Sequence, residues 1–403
     1  MSEVKVVHII VRSVPVLDGG TIRSKYIVEY QRRCGIEPIV VTSPSHPGSS
    51  SPLEVINGIH YYRTTMPRVV SHVPGLRTLL SAWYITQRVL KVIHEVPVHL
   101  VHAHEPPECG LAGWWVAKSL GIPFIYEVRG FIEDTSVALG QLREHSWRYR
   151  YWRALGMYVM RRANKVVVIS QTMAQDLVER GVKREQIVCV PNGVDTGLFS
   201  PKPREQTLSQ ILQIDSLVIG FIGSLRRLEG LDILIYAFRR ILSEFPQVKL
   251  LIVGEGEDRK RLERMSEELG VRQKIIFTGL IDHSLVPMYY SLIDIVVFPR
   301  VDSRVNRLVT PLKPLEAQAM GKALIISDLP ALKETVSPEQ SHFTFRPGDI
   351  EGLADLCIRL LRDDHLRHEL GRANRKYVVE NRDWTLIVKK YNELYRLMGL
   401  PNH

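Results

Sequence analysis

Cysteine is scarce in this chain of 403 residues. Cys34, Cys109, Cys189 and Cys357 stand far apart with no CxxC pair, which argues against a disulfide framework and a zinc site and fits a reducing, cytoplasmic setting. Long apolar runs are missing too: none approaches the roughly 20 residues that a membrane span needs. The run over residues 4–11 is short for a secretory signal. Glu3 precedes it, and Pro15 and a Gly-Gly turn follow where a cleavage site would show small residues, so it reads as a first buried strand. Internal repeats and low-complexity tracts are absent. Acidic residues are the minority, 43 Asp+Glu against 53 Lys+Arg, and the resulting formal charge of +10 points to an anionic partner. Nucleotide phosphates and a membrane surface both qualify. Nucleic acid is the poorest candidate, because no recognised binding motif accompanies the charge.

What is present is ordinary globular material, 45% hydrophobic and 24% charged, in a chain longer than one core usually supports. Short β-branched runs alternate with helical stretches, the pattern of parallel sheets covered by helices. Strands are expected over 5–11, 38–42, 100–102, 124–127, 166–169 and 187–189, then over 217–222, 249–253, 275–277, 295–298 and 323–327. Helices are expected over 22–34, 109–120, 148–163, 231–244, 258–269, 315–320 and 350–363. This reads as an α/β chain with two doubly wound, Rossmann-like domains facing a central cleft. Turn chemistry at Pro191-Asn192-Gly193-Val194-Asp195 and the polar, proline-bearing Ser200-Pro201-Lys202-Pro203-Arg204 place the join between Phe199 and Asp215. The expected organisation is therefore a domain over 1–199, a linker over 200–214, a domain over 215–380 and a terminal segment over 381–403 packing back toward the first domain. In that segment Trp384, Ile387, Val388, Tyr391, Leu394 and Tyr395 share one helical face.

Open α/β sheets hold nucleotides at strand carboxyl ends. Asp18-Gly19-Gly20-Thr21 follows the first strand and opens a helix, so backbone N–H groups can approach a phosphate or sugar hydroxyl there, although a plain tight turn explains it as well. Phe221-Ile222-Gly223-Ser224-Leu225 repeats the arrangement in the second half. The densest constellation runs from Arg300 to Asp328. Lys313 stands at a helix N-terminus, where the macrodipole disfavours a cation by some tenths of a kcal/mol and an anion would reverse the sign. Glu316, one turn in, is suited to vicinal ribose hydroxyls; a solvated Lys and Glu beside a proline turn is the even alternative.

The flanking motifs decide between them. Val166-Val167-Val168-Ile169-Ser170, Val190-Pro191-Asn192-Gly193-Val194-Asp195 and Phe199-Ser200-Pro201 resemble the domain junction of the large retaining glycosyltransferase family with the GT-B fold, the bacterial group 1 or family 4 type. Gly220-Phe221-Ile222-Gly223-Ser224-Leu225, Val253-Gly254-Glu255-Gly256, Ile276-Phe277-Thr278-Gly279 and the Pro314-to-Asp328 stretch resemble it in the same order over nearly the whole chain. His102-Ala103-His104 and Tyr126-Glu127-Val128-Arg129-Gly130-Phe131, with Glu133-Asp134, resemble an exopolysaccharide- and exosortase-associated subgroup.

The resemblance implies a sugar-nucleotide donor, UDP- or GDP-linked, contacted by Gly19, Gly20, Gly223, Ser224, Leu225, Gly254 and Glu255. It further implies contacts from Leu280, Ile281, Arg300, Arg304, Val309, Thr310, Lys313 and Glu316. The chain departs from the family where it matters. Leu308 stands where many members carry a glutamate that touches the donor sugar, and Ser224 and Glu229 replace the Arg and Lys that clamp the diphosphate. Lys313 with Arg300, Arg304 or Arg307 is the expected substitute. Arg129 replaces a common histidine. Front-face attack with retention is implied, the leaving diphosphate helping to take the acceptor proton, so catalysis is mainly electrostatic. Lys313, Arg129, Glu127, His104 and Glu105 are the expected catalytic groups. No carboxylate pair is placed to hold a divalent ion with a diphosphate, so neither metal nor cofactor is expected.

A GT-B nucleotide-sugar epimerase and a non-catalytic sugar-nucleotide-binding subunit stay open as alternatives. A dinucleotide dehydrogenase is poorer, lacking GxGxxG after the first strand. The expected acceptor is a glycan or a lipid-linked one. Residues 1–195 hold 23 Lys+Arg against 16 Asp+Glu, a difference of +7, and two aromatic-basic stretches lie among them: Trp147-Arg148-Tyr149-Arg150-Tyr151-Trp152-Arg153, and Arg77 through Trp83 and Tyr84 to Arg88 and Lys91. They suggest docking on an anionic membrane, on its cytoplasmic face. The bland reading makes Trp147, Tyr151 and Trp152 the buried face of an ordinary helix.

Overall fold

The computed structural model describes residues 4–16, 19–47, 51–67 and 74–400. The chain forms two compact units, Met1–Pro191 with Trp384–His403, and Asn192–Asp383. The division falls before the 200–214 stretch. Val194 and Phe199 are buried in the core of the second unit, and a helix, Gln206–Ile211, occupies the middle of that stretch. Apolar side chains, not the prolines, set where the unit begins.

The first unit holds eight strands: β1 Val4–Ile10, β2 Ile36–Thr42, β3 Leu53–Ile56, β4 Ile59–Tyr62, β5 Leu100–His104, β6 Phe124–Val128, β7 Lys165–Val168 and β8 Ile187–Cys189. Their order is β3-β4-β2-β1-β5-β6-β7-β8, parallel except for the β3–β4 hairpin. That hairpin turns on Asn57-Gly58, both at positive φ, the geometry that a two-residue turn between twisted strands requires. The second unit holds β9 Val218–Ile222, β10 Lys249–Val253, β11 Ile275–Phe277, β12 Ile295–Phe298, β13 Ala323–Ser327 and β14 Thr344–Phe345. Their order is β11-β10-β9-β12-β13-β14, parallel throughout. β5, β6, β9 and β13 are buried at every position, as strands with helices on both faces must be.

Helix Trp384–Leu397 packs on helix Gly19–Arg33 within the first unit, burying Trp384, Ile387, Val388, Tyr391, Leu394 and Tyr395. No helix among the described residues is long and apolar enough to cross a membrane. In each sheet the strand order reverses once, between β1 and β5 and between β9 and β12. Loops part in opposite directions at such a point and leave a crevice beyond the strand carboxyl ends.

Candidate functional site

In the first unit the polar residues gather at that reversal. Alternate residues of a strand share a face, so His102 and His104 of β5 point together. His8 of β1 is in register with His102, and Glu127 of β6 with His104. One sheet face thus carries three histidines and a glutamate, all buried. Glu127 accepts bonds from Arg23 Nε at 3.0 Å, from Arg129 Nε at 2.7 Å and from the Tyr391 hydroxyl. Burial alone would raise its pKa, but the two guanidiniums hold it well below the usual carboxylate range.

Arg129 also donates to Gly20 O and Ser24 Oγ on helix Gly19–Arg33, each at 2.7 Å, and to His104 Nδ1 at 2.7 Å. Gly20, His104, Glu127 and Arg129 therefore meet at one place, while Gly19 opens the helix beside them in open space; Asp18 lies outside the described residues. Glu105 follows β5 directly, and its Oε2 accepts the Arg129 N–H at 3.1 Å. Burial pushes its carboxyl up to about 8, so at neutral pH a protonated Glu105 stands near an ionised Glu127. Two carboxyls with opposite charge states are what acid and base roles require.

Several members of this cluster were not singled out from sequence. Arg23 is fully buried, on the stripe it shares with the buried Tyr26, Ile27 and Tyr30; a charge at a core-facing helical spacing was the available signal. Tyr391 and Tyr395 were placed on the buried face of the terminal helix, but their hydroxyls were not assigned partners. His8, His102 and His104 have ring nitrogens within 4.8 Å of one another, a metal-ligand-like grouping among the described residues. Burial lowers the pKa of all three.

In the second unit the loops after β9, β10 and β11 are zipped together. Gly223 N–H donates to Val253 O, Leu225 N–H to Glu255 O and Gly254 N–H to Gly279 O. Gly254 has φ +134, and a Cβ there would stand 1.9 Å from Gly223 O, so only glycine lets these backbones approach. Glu255 is paired with Arg259 at its own loop, Ser224 is exposed, Leu280 projects into solvent and Ile281 packs partly on the core. Across the reversal, Arg300 follows β12 and grips Glu229 with two bonds of 2.9 and 3.1 Å. Its Nη1 reaches Val309 O. Thr310 is held by the Asn192 amide at 2.8 and 3.1 Å.

Lys313 Nζ lies 3.0 Å from Glu316 Oε2, and Glu316 is almost fully buried at the start of helix Lys313–Ala319. Each of three expected phosphate cations already faces a carboxylate: Arg300 faces Glu229, Lys313 faces Glu316 and Arg307 faces Asp302. The Arg307 pair is exposed, whereas the Arg300 pair is largely enclosed. Arg304 is exposed on the short helix Arg304–Leu308. Leu308 is buried, so this chain places an apolar side chain in the core at the position where the resemblance implies a sugar-binding carboxylate.

Two parallel α/β units, each with polar residues at its strand-order reversal, define the class of Rossmann-like, GT-B proteins. The description "Glycosyl transferases group 1" matches residues 205–377, and "Glycosyl transferase 4-like domain" matches residues 18–193. The chain belongs to the group 1 glycosyltransferases and is a glycosyltransferase of that type. D-inositol 3-phosphate glycosyltransferase of Corynebacterium jeikeium is 25% identical, covering 96% of this chain and 93% of its own. Sucrose-phosphate synthase from Thermosynechococcus elongatus matches the structure with TM-score 0.79 at 21% identity, covering 98% of this chain and 99% of that one. Anabaena HepE, solved in complex with UDP-glucose, matches with TM-score 0.75 at 18% identity, covering 98% and 100%.

Proposed function

We propose that the chain transfers a sugar with retention, without a metal or cofactor, from a UDP- or GDP-sugar bound by the second unit to a glycan or lipid-linked acceptor bound by the first. The observation that carries this reading is the Lys313–Glu316 pair together with the Arg300–Glu229 pair, which joins the loops after β12 and β9 at the reversal. An ionised Glu316 suits the two ribose hydroxyls, and Lys313 released from it would meet the diphosphate. Arg300 supplies the cation that the family carries at position 229, and Glu229 holds it in place. The leaving diphosphate then gains charge next to preorganised cations, which is where electrostatic stabilisation acts. In the first unit Arg129 and Glu105 contact the acceptor, the buried His104 holds Arg129 in place, and the acceptor's proton passes to the departing phosphate.

The acceptor side also favours a membrane-bound substrate. Leu76, Leu79 and Trp83 recur at helical spacing on helix Pro74–Glu95 and are 48%, 47% and 49% exposed. Gly75 lies against Tyr151 of helix Trp147–Met160, whose Trp147 is 72% exposed. The buried face of that second helix is Tyr149, Met157, Val159 and Met160, which leaves Trp147 outside the core. Aromatic and aliphatic side chains flanked by Arg77, Arg148, Arg150 and Arg153 suit the headgroup layer of an anionic leaflet.

The deciding experiment incubates the purified chain with UDP-glucose, UDP-galactose or GDP-mannose and membrane-extracted acceptor lipid, with and without EDTA. Nucleoside diphosphate released only with acceptor, insensitivity to EDTA and a product that keeps the donor's anomeric configuration by NMR are expected. Sugar interconversion without acceptor would identify an epimerase instead. Dependence on added magnesium would refute the metal-free reading.

A further inference from the structure

The buried polar residues of the first unit form more than a cluster. Arg129 Nη2 lies 2.7 Å from His104 Nδ1, His104 Nε2 lies 3.0 Å from His8 Nδ1, and His8 Nε2 lies 2.8 Å from Gln31 Oε1. Gln31 Nε2 donates to the Tyr395 hydroxyl at 2.8 Å, and that hydroxyl lies 2.8 Å from His102 Nδ1. His102 Nε2 lies 3.3 Å from Glu127 Oε2, a charge contact that falls short of a hydrogen bond, and the other oxygen of Glu127 accepts Arg129 Nε. The path returns to the residue where it began.

Elementary donor and acceptor chemistry gives this path one direction. A guanidinium can only donate, and an ionised carboxylate can only accept. Arg129 therefore requires a bare Nδ1 on His104, which as a neutral ring carries its proton on Nε2. His8 must accept at Nδ1 and donate from Nε2, which orients the Gln31 amide. The amide donates to Tyr395, the Tyr395 proton goes to His102 Nδ1, and the His102 Nε2 proton faces Glu127. All three rings are neutral with the proton on Nε2, and each bare nitrogen already accepts a hydrogen bond.

We propose that His8, Gln31 and Tyr395 are positioning residues for Arg129, acting through this one-way ring, which fixes the guanidinium from both of its ends. The ring carries the influence of the terminal helix, through Tyr395, to the mouth of the first unit's crevice. It also explains why the three histidines are not a metal site: their lone pairs are engaged, and Arg23 and Arg129 already bring two positive charges against the single carboxylate of Glu127. A proton on any of the three rings would add a like charge and set a donor against the donor that its bare nitrogen now accepts from. The functional consequence rests on Arg129 contacting substrate, but the ring is tested without any substrate.

Full-length chain labelled with 15N-histidine and 15N-arginine, examined by long-range proton–nitrogen NMR at pH 7, is expected to show three buried neutral rings protonated on Nε2. The Arg129 Nε–H signal, assigned by its loss in Arg129→Ala, is expected to exchange slowly with water. Tyr395→Phe removes a donor and an acceptor, so the His102 and His104 signals should move and Arg129 Nε–H should exchange roughly tenfold faster. Gln31→Met opens the ring from another helix and serves if Tyr395→Phe does not fold. In His104→Asn the side-chain oxygen still accepts from Arg129 but the arm through His8 and Gln31 is cut, so adding Tyr395→Phe should then reach Arg129 only through His102 and Glu127 and change its exchange less than it does in the wild type. A wild-type His104 protonated on Nδ1, histidine signals that shift on adding zinc sulfate, or Arg129 exchange indifferent to Tyr395→Phe would each overturn the ring. Full transfer activity in Arg129→Ala would leave the ring standing and refute only the catalytic reading of Arg129.

Discussion

Glu105 and Glu127 are two residues of one type whose surroundings leave the first neutral and the second ionised, and the first leaves a measurable mark. Glu105, with an ordinary value of 4.5, is pushed up to about 8 chiefly by burial. The unfolded chain releases this proton near pH 4.5 while the fold keeps it to about pH 8. The residue therefore costs stability progressively as pH rises between those values, at up to about 1.4 kcal/mol per pH unit, and the cost is level above them. Glu105→Gln should flatten the dependence of melting temperature on pH over that window and gain on the wild type toward pH 8. An unchanged slope would place the proton elsewhere. In the second unit, Glu316→Ala should weaken binding of UDP or GDP by roughly 1.5–3 kcal/mol in calorimetry, the worth of charge-assisted bonds to the ribose. Unaltered nucleotide affinity would remove Glu316 from the site.

At the scale of elements, much of the architecture was legible. Near-continuous apolar runs such as Leu250-Leu251-Ile252-Val253 can only be buried parallel strands, and those expectations agree with the structure to within a few residues. β3 and β4 were missed although Asn57-Gly58 between Val55-Ile56 and Ile59 is a strong hairpin signal; half-exposed strands carry no apolar run to draw attention. In helix Pro74–Glu95 the aromatic-basic composition from Arg77 to Lys91 is plainer in the sequence than the helical period. The candidate site was legible where strands end, at His104, Glu105 and Glu127, because parallel sheets hold ligands there. Its partners Arg23, Gln31, Tyr391 and Tyr395 were not, since contacts separated by up to 368 positions leave no local pattern. The exposed stripe carries its own prediction. The chain should float with liposomes containing anionic lipid and lose that binding in high salt. Leu79→Ala with Trp83→Ala should weaken membrane affinity in flotation roughly thirtyfold at unchanged melting temperature, about 1 kcal/mol per side chain being withdrawn from the interface. Equal flotation by the double variant would exclude this helix.

At the scale of the whole molecule, the chain passes from the first unit to the second at Pro191 and back at Trp384. The first unit is thus assembled from two stretches that the whole second unit separates. During synthesis, residues 4–191 emerge with the buried carboxylate of Glu127 lacking Tyr391, the aromatic face of Tyr26 lacking Trp384, and His102 lacking Tyr395. The second unit is contiguous and complete before its companion is. The first unit must wait, partly formed, until residues 384–397 leave the ribosome, so a message cut short before them yields a chain with the second unit finished and the first unfinished. A fragment spanning residues 1–191 should be molten by near-ultraviolet circular dichroism and regain fixed tertiary signals when a peptide spanning residues 384–403 is added. A fragment already native without the peptide would show that the late arrival is dispensable.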